Sequence, residues 1–211
     1  MGFLLFRLVG WRMLRWAAAV LCVGCCPLRY RKTCSGVVAL EITITIRSVD
    51  SSSPKEIGLV AQRMGETLVE VLGRTRGERM YTADWLDQRV RWHLDSTEVL
   101  GAVFVAEDSG GAIVGHTIVR LEDDGQGNDI GLFATTYVTP NARKSGVAIA
   151  LLDHGERWMC GHGMTEAVTY TDADNEKLQK LFEGRGYVMS VMPNDFVKLT
   201  KDLVPTAWMD A

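Results

Sequence analysis

The segment that decides the fold is residues 137–152, which read YVTPNARKSGVAIALL. A β-prone run ends at Pro140, and from Val147 onward apolar residues recur at helical spacing. The loop between them carries a basic pair, a serine and a glycine: Arg143, Lys144, Ser145 and Gly146. In a segment that runs from strand to loop to helix, backbone N–H groups and the positive end of the helix dipole point at one position. The sequence therefore predicts a phosphate or pyrophosphate site here, which the glycine lets a ligand approach closely because it has no Cβ.

The loop resembles motif A of the GNAT N-acetyltransferases, written Arg/Gln-x-x-Gly-x-Gly/Ala. In this chain the motif reads RKSGVA at residues 143–148, after a hydrophobic-x-Pro lead-in at residues 138–140. About thirty residues past the loop, residues 175–187 read NEKLQKLFEGRGY. They resemble motif B of the same family: an asparagine, a short helix, an aromatic residue, and a Gly-Tyr or Gly-Phe pair that opens a strand. The resemblance covers residues 42–203.

The rest of the chain fits the fold that this resemblance implies, an α/β (α+β) domain with a mixed, largely antiparallel central sheet and about four helices. Strand patterns occur at residues 42–47, 100–106, 113–121, 130–138, 165–171, 187–192 and 196–200. Helical spacing predicts helices at residues 57–72, at residues 84–94, after Val147, and in the motif B segment with Asp174 as its N-cap. The domain is expected at residues 42–203, between an extension at residues 1–40 and a tail at residues 204–211.

The resemblance implies that the protein uses acetyl-CoA as a co-substrate, without a metal. It implies cofactor contacts from both motifs: Val138, Arg143, Lys144, Ser145, Gly146, Val147, Ala148, Asn175 and Phe182. Val138 would offer its backbone to the pantetheine arm, and the loop would hold the pyrophosphate. For Asn175, capping of the motif B helix is the alternative role.

The chain departs from the family at positions that often carry acid–base chemistry. Many GNAT enzymes place a glutamate on the motif A strand and a tyrosine on the motif B helix. Here residues 131–137 read GLFATTY, and Phe182 stands at the tyrosine position. The polar groups nearest the expected thioester are Thr135, Thr136 and Tyr137, of which Thr136 and Tyr137 are the catalytic candidates. Cross-strand packing is their competing role, because threonine and tyrosine favour strands.

Two residues are candidates for binding the acceptor. His116 lies on the hairpin strand expected to line the acceptor groove, and Glu122 opens an acidic loop that would attract a cation. The alternatives are a packing role for His116 and a solvated loop for Glu122. The acceptor is expected to be a primary amine on a small molecule or a peptide. Aminoglycosides, polyamines, free amino acids and protein N-termini all remain open.

The resemblance thus implies an N-acetyltransferase in which the amine attacks the thioester directly. The missing glutamate and tyrosine leave a non-catalytic acyl-CoA-binding module as one alternative. The small Ala134 leaves room for a longer acyl group, so a longer-chain acyltransferase is another. A homodimer is compatible with all three.

Charge is distributed unevenly along the 211 residues. Residues 1–40 contain no Asp or Glu and hold six of the 23 basic residues, which leaves 17 basic against 26 acidic residues in the remainder, a net charge of −9. An acidic body argues against a nucleic acid partner. It fits a cationic acceptor, although acidic surfaces are common in soluble proteins.

Residues 1–40 have three competing interpretations. Four of the five cysteines crowd into this segment, and its apolar run at residues 17–26 is too short to span a bilayer. The segment is a secretory or lipoprotein signal peptide, a basic transit peptide, or a tail upstream of the true start site, which is the interpretation we favour. The resemblance then implies a cytoplasmic protein without stable membrane association. A real targeting segment would instead make it exported or organelle-targeted.

Overall fold

The computed structural model describes residues 43–193 and 195–204. The predicted extension at residues 1–40, and all but the first residue of the predicted tail, lie outside the described residues. The boundaries of the domain therefore stay a prediction.

Seven strands form one sheet in the described residues. They are β1 Ile44–Ser48, β2 Gly101–Asp108, β3 Ile113–Asp123, β4 Asp129–Val138, β5 Glu166–Asp172, β6 Val188–Met192 and β7 Phe196–Asp202. Their order is β1-β2-β3-β4-β5-β7-β6, in which β4 and β5 are parallel and the other neighbours are antiparallel. The predicted mixed, largely antiparallel sheet is confirmed, and every predicted strand boundary lies within two residues of the observed one.

Five α-helices flank the sheet in the same residues: α1 Pro54–Leu72, α2 Arg74–Met80, α3 Ala83–Leu94, α4 Val147–Gly161 and α5 Glu176–Glu183. The sequence predicted about four, because two glycines made residues 73–77 resemble a simple break. Gly73 does separate α1 from α2, but Gly77 lies inside α2. A Cβ at position 77 would lie 2.7 Å from the Leu68 carbonyl, so this glycine lets α2 pack closely on α1.

The start of α5 differs from the prediction by one residue. Its N-cap is Asn175, whose side chain accepts a 3.4 Å hydrogen bond from the Leu178 N–H. The prediction of Asp174 as N-cap is wrong because Asp174 still belongs to the turn after β5, where its N–H donates to the Asp172 side chain. The difference bears on the site, since Asn175 is also a predicted cofactor contact.

Helices cover both faces of the sheet. On one face, called the α1 face, α1 and α3 pack through a cluster that includes Val60, Val90 and Ile118. On the other, called the α4 face, α4 and α5 pack through a cluster that includes Leu151 and Phe182. All five side chains are fully buried. Because successive strand residues point to opposite faces, each central strand contributes to both.

Candidate active site

β4 and β5 pair over only part of their length, and the gap between their unpaired ends is called the β4–β5 cleft. Their parallel ladder joins residues 131–133 to residues 167–169, and both strands continue beyond it without pairing to each other. β4 also carries a bulge on its other side, because Ile118 pairs with Thr135 and the next residue of β3 pairs with Phe133. The skipped residue, Ala134, is exposed although it lies in a central strand. β4 is therefore accessible at Ala134, one residue beyond its ladder with β5.

The predicted phosphate loop joins β4 to α4 at the mouth of this cleft. A 3-10 turn at Pro140–Ala142 is followed by Lys144 and Gly146 in left-handed backbone, with φ of 64° and 89°. α4 begins at Val147, so the N–H groups of its first turn lack partners within the helix. Lys144 and Gly146 are exposed, and Ala148 is half-buried. A Cβ added at Gly146 would meet no atom within 4 Å, so open space lies in front of the loop and fits an anion site.

Close packing holds this loop against the sheet. A Cβ at Gly115 of β3 would lie 3.0 Å from both the Tyr137 carbonyl and the Val147 side chain. A glycine at this position therefore lets the first turn of α4 rest directly on β3 and β4. Within the loop, the Ser145 hydroxyl donates a 2.6 Å hydrogen bond to the Ala142 carbonyl. The turn is thus fixed before any ligand binds.

The Arg143 side chain bonds to the protein itself. Its Nε donates a 3.0 Å hydrogen bond to the Val138 carbonyl, and its two terminal nitrogens donate to the two Glu70 oxygens at 3.0 and 2.8 Å. Lys177 of α5 donates a further bond to Glu70, at 2.7 Å. The bonds from Arg143 and then from Lys177 lower the pKa of Glu70 to about 2. A carboxylate of α1 thus joins the segments that follow β4 and β5.

The two motif B residues predicted to contact the cofactor lie in different surroundings. Asn175 is half-buried, and besides capping α5 it donates a 2.9 Å hydrogen bond to Thr171 of β5. Phe182 is fully buried, with its ring edge-on to Phe133 and Tyr187 at centroid distances of 5.6 and 4.8 Å. The structure therefore gives Phe182 a core position without access to the cleft, whereas Asn175 lies where β5 ends.

Tyr137 connects β4 to α1 on the α1 face. Its hydroxyl donates a 2.8 Å hydrogen bond to the Glu66 carboxylate, and the guanidinium carbon of Arg63 lies 5.4 Å from its ring centroid. Burial and then the bond to Glu66 raise the pKa of Tyr137, so the hydroxyl keeps its proton at neutral pH. Glu66 is exposed, which places a carboxylate at the surface beside the end of β4.

His116 lies beneath this pair as a buried neutral ring. It stacks on Tyr137 at a centroid distance of 5.7 Å and is 0% exposed. Burial, and to a smaller extent Arg63, lower the pKa of His116 to about 3. Within the described residues, neither ring nitrogen has a hydrogen-bond partner. The structure therefore gives His116 the packing role that was its alternative, without a surface for an acceptor.

The two catalytic candidates lie on opposite faces of the sheet. Tyr137 points to the α1 face, so its neighbour Thr136 points to the α4 face. The Thr136 hydroxyl lies 2.9 Å from the Thr117 hydroxyl, which also donates to the Thr135 carbonyl at 3.0 Å. Thr136 is thus part of a cross-strand hydroxyl pair, and Tyr137 is the candidate that faces α1.

Glu122 does not share a site with His116. It lies six residues further along β3, which corresponds to about 20 Å at the rise of a β-strand. There it forms an ion pair with Arg120, whose two nitrogens donate to one Glu122 oxygen at 2.6 and 2.9 Å. The geometry separates the two residues predicted to bind the acceptor.

The sequence patterns did not indicate Glu66, Glu70 and Lys177 as residues of the site. The spacing of Glu66 and Glu70 places them one turn apart on one side of α1, which a helical pattern can indicate. Their partners on β4, on the loop and on α5 are 71, 73 and 107 residues away, and no local pattern indicates such contacts.

Comparison with protein-family models matches residues 66–187 to the Acetyltransferase (GNAT) family. The chain belongs to this GNAT family. Both motifs, the loop, and Glu66, Glu70 and Lys177 lie inside the matched region. Membership supports acyl transfer as the general class of reaction.

Solved GNAT and related structures share the fold. One matching chain comes from the crystal structure of the NatC complex bound to Gag peptide and CoA. Its sequence is 17% identical to this chain, the TM-score is 0.60, and the match covers 76% of this chain and 99% of that chain. A GNAT-family acetyltransferase from Staphylococcus aureus Mu50 is 14% identical with a TM-score of 0.58, covering 77% and 100%. PaiA N-acetyltransferase from Thermoplasma acidophilum, in complex with coenzyme A, is 12% identical with a TM-score of 0.55, covering 76% and 99%. A comparison with curated protein sequences finds no match.

Across residues 43–193 and 195–204, no three His, Cys, Asp or Glu side chains are grouped so as to hold a metal ion. In that same part of the chain, no helix is both long and apolar enough to cross a membrane.

Proposed function

We propose that this protein is an N-acetyltransferase that transfers the acetyl group of acetyl-CoA to a primary amine by direct attack. The observation that carries the proposal is the loop at residues 143–148, which presents a left-handed glycine, a helix start and open space at the mouth of the β4–β5 cleft. This combination suits a pyrophosphate followed by an extended arm.

The cofactor would lie along the cleft with its pyrophosphate on the loop. Backbone N–H groups at the start of α4 would bind the phosphates, and Val138 would offer its backbone to the pantetheine arm. Asn175 would line the opposite side, at the end of β5. Two neighbours in fold, the NatC complex and PaiA, were crystallised with CoA, which supports this choice of cofactor.

The acceptor would approach on the α1 face, where Glu66 and Tyr137 meet. The amine must lose a proton to react, since a free ammonium has a pKa near 10. As the C–N bond forms, Glu66 would accept the proton of the attacking nitrogen, a role that a carboxylate on the strand often fills in this family. As the C–S bond breaks, CoA would leave as a thiolate. A thiol has an ordinary pKa near 8.5, so water or the Tyr137 hydroxyl can supply its proton.

The acceptor class remains a choice between small-molecule and peptide amines. The NatC neighbour holds a peptide, which favours testing peptide N-termini. The net charge of −9 beyond residue 40 favours a cationic acceptor of either kind.

Thiol release from acetyl-CoA in the presence of an amine panel tests the proposal. The panel contains a polyamine, an aminoglycoside, free lysine, a peptide with a free N-terminus and the same peptide with a blocked N-terminus. We expect release that depends on one class of acceptor, and a product heavier by one acetyl group. Acetyl-CoA binding without release for any amine would favour the non-catalytic acyl-CoA-binding module. Faster release from a longer acyl-CoA would favour the longer-chain acyltransferase.

A further inference from the structure

We propose that Glu70 is an internal competitor for a CoA phosphate: it holds Arg143 and Lys177 together in the free protein and gives them up when the cofactor binds. The proposal rests on the cofactor site of the proposed function. It adds a self-neutralising contact that the motif A and motif B patterns do not contain.

Three separate elements meet at this carboxylate. Glu70 comes from the last turn of α1, Arg143 from the loop after β4, and Lys177 from the first turn of α5. One Glu70 oxygen accepts from Arg143 at 3.0 Å and from Lys177 at 2.7 Å, and the other accepts from Arg143 at 2.8 Å. The two cations therefore flank the cleft, one beyond each strand, and both converge on a single anion.

The donor set is one that binds phosphate. A guanidinium fork with a nearby ammonium recognises phosphate as it recognises carboxylate, through charge-assisted hydrogen bonds. Here a carboxylate of the protein occupies the position that the two cations create. A phosphate carries up to two charges and three acceptor oxygens, so it can replace the carboxylate on the same donors.

The contact is open to exchange. The side chains of Arg143 and Glu70 are 36% and 37% exposed, and that of Lys177 is 78% exposed. Ion pairs at such exposure are individually weak, so an incoming phosphate can break them. Releasing Glu70 would remove the ion pairs between the last turn of α1 and the cofactor loop, one turn beyond Glu66. Cofactor binding would thereby change the contacts of α1, the helix that carries the proposed base Glu66.

Calorimetric titration of CoA into the wild type and Glu70→Gln tests the proposal. Removing the competing charge should tighten CoA binding about three- to tenfold, from the strength of two exposed ion pairs. The matched control is Glu176→Gln, which removes the same charge nearby but breaks only an exposed pair with Lys180. Its affinity should change less than about twofold. Unchanged or weaker binding by Glu70→Gln would overturn the proposal.

Two further measurements identify which phosphate replaces Glu70 and test the site with a second variant. If dephospho-CoA shows the same gain, the pyrophosphate replaces Glu70; if the gain is lost, the 3′-phosphate does. Lys177→Gln should weaken CoA binding and reduce its salt dependence, which tests the site even if Glu70→Gln does not fold. Unchanged binding by Lys177→Gln would also contradict the proposal. If the wild-type protein binds CoA but transfers no acetyl group to any amine, the transferase function is wrong, and the inference about Glu70 is unaffected.

Discussion

The Tyr137 hydroxyl donates a 2.8 Å hydrogen bond to the Glu66 carboxylate, joining β4 to α1 across 71 residues of sequence. Residues 131–137 contain no carboxylate, so this bond gives the end of the strand an acidic partner from another element. Glu66 is exposed and can contact an acceptor, whereas Tyr137 is buried and holds the Glu66 carboxylate in place.

Glu66→Gln should lower kcat by about 10²–10⁴-fold, the usual contribution of a general base. The amide can still accept from Tyr137, so the fold should be unchanged and KM for acetyl-CoA should move little. The measurement is kcat and kcat/KM for the acceptor across pH, with Glu66→Asp as the variant expected to recover part of the rate. A rate equal to wild type at every pH would remove Glu66 from the mechanism.

Tyr137→Phe separates chemistry from packing. Because burial raises the pKa of Tyr137, its hydroxyl keeps its proton and can act as a donor at neutral pH. Losing it should lower kcat less than the loss of Glu66, since water can still protonate the thiolate. If the rate is untouched at all pH values, Tyr137 serves in packing alone.

Phe182→Tyr should destabilise the protein without speeding the reaction. Phe182 stands where many members of the family carry a tyrosine, but its ring is 0% exposed. A phenolic hydroxyl buried there without a partner should cost about 1–3 kcal/mol in the free energy of unfolding. Thermal unfolding measures the loss, with Phe196→Tyr as the control because Phe196 is half-buried. Faster turnover at unchanged stability would show that the new hydroxyl reaches the thioester.

The loop and the sheet were predictable because their signals are local. Pro140 follows the end of β4, Gly146 takes the left-handed conformation, and β-prone runs bounded by turn residues mark the strands. The sequence did not predict features that depend on contacts between residues far apart along the chain. The sequence did not indicate α2, because glycines at positions 73 and 77 are typical of a loop and the close packing of Gly77 on α1 is a tertiary contact. The bond between Glu66 and Tyr137 could not be inferred for the same reason.

His116→Leu should make the protein less sensitive to acid. The pKa of His116 is about 3 in the folded state and near 6.5 when unfolded. Between these values the unfolded state binds a proton that the folded state does not, so stability falls as the pH drops from 6.5 towards 3. The charged or titratable groups around the ring are Arg63 and Tyr137, with Glu66 beyond the tyrosine.

The check is the unfolding temperature of wild type and His116→Leu between pH 7 and pH 4.5. The wild-type curve should be steeper, although His93, whose pKa is also lowered by burial, keeps some slope in both. His162→Gln, at an exposed position, should follow the wild type. Parallel curves for wild type and His116→Leu would mean that His116 does not contribute to the acid response.

The most direct test of the whole account is calorimetric binding of acetyl-CoA to the wild type, Gly146→Glu and Gly146→Ala. Both variants force a side chain into the left-handed backbone at φ 89°, so they share the same strain. The glutamate alone adds a negative charge in front of the loop. The account predicts that Gly146→Ala binds more weakly than wild type, and that Gly146→Glu stays folded but shows no measurable binding. Wild-type affinity in Gly146→Glu would contradict the claim that residues 143–148 hold the cofactor.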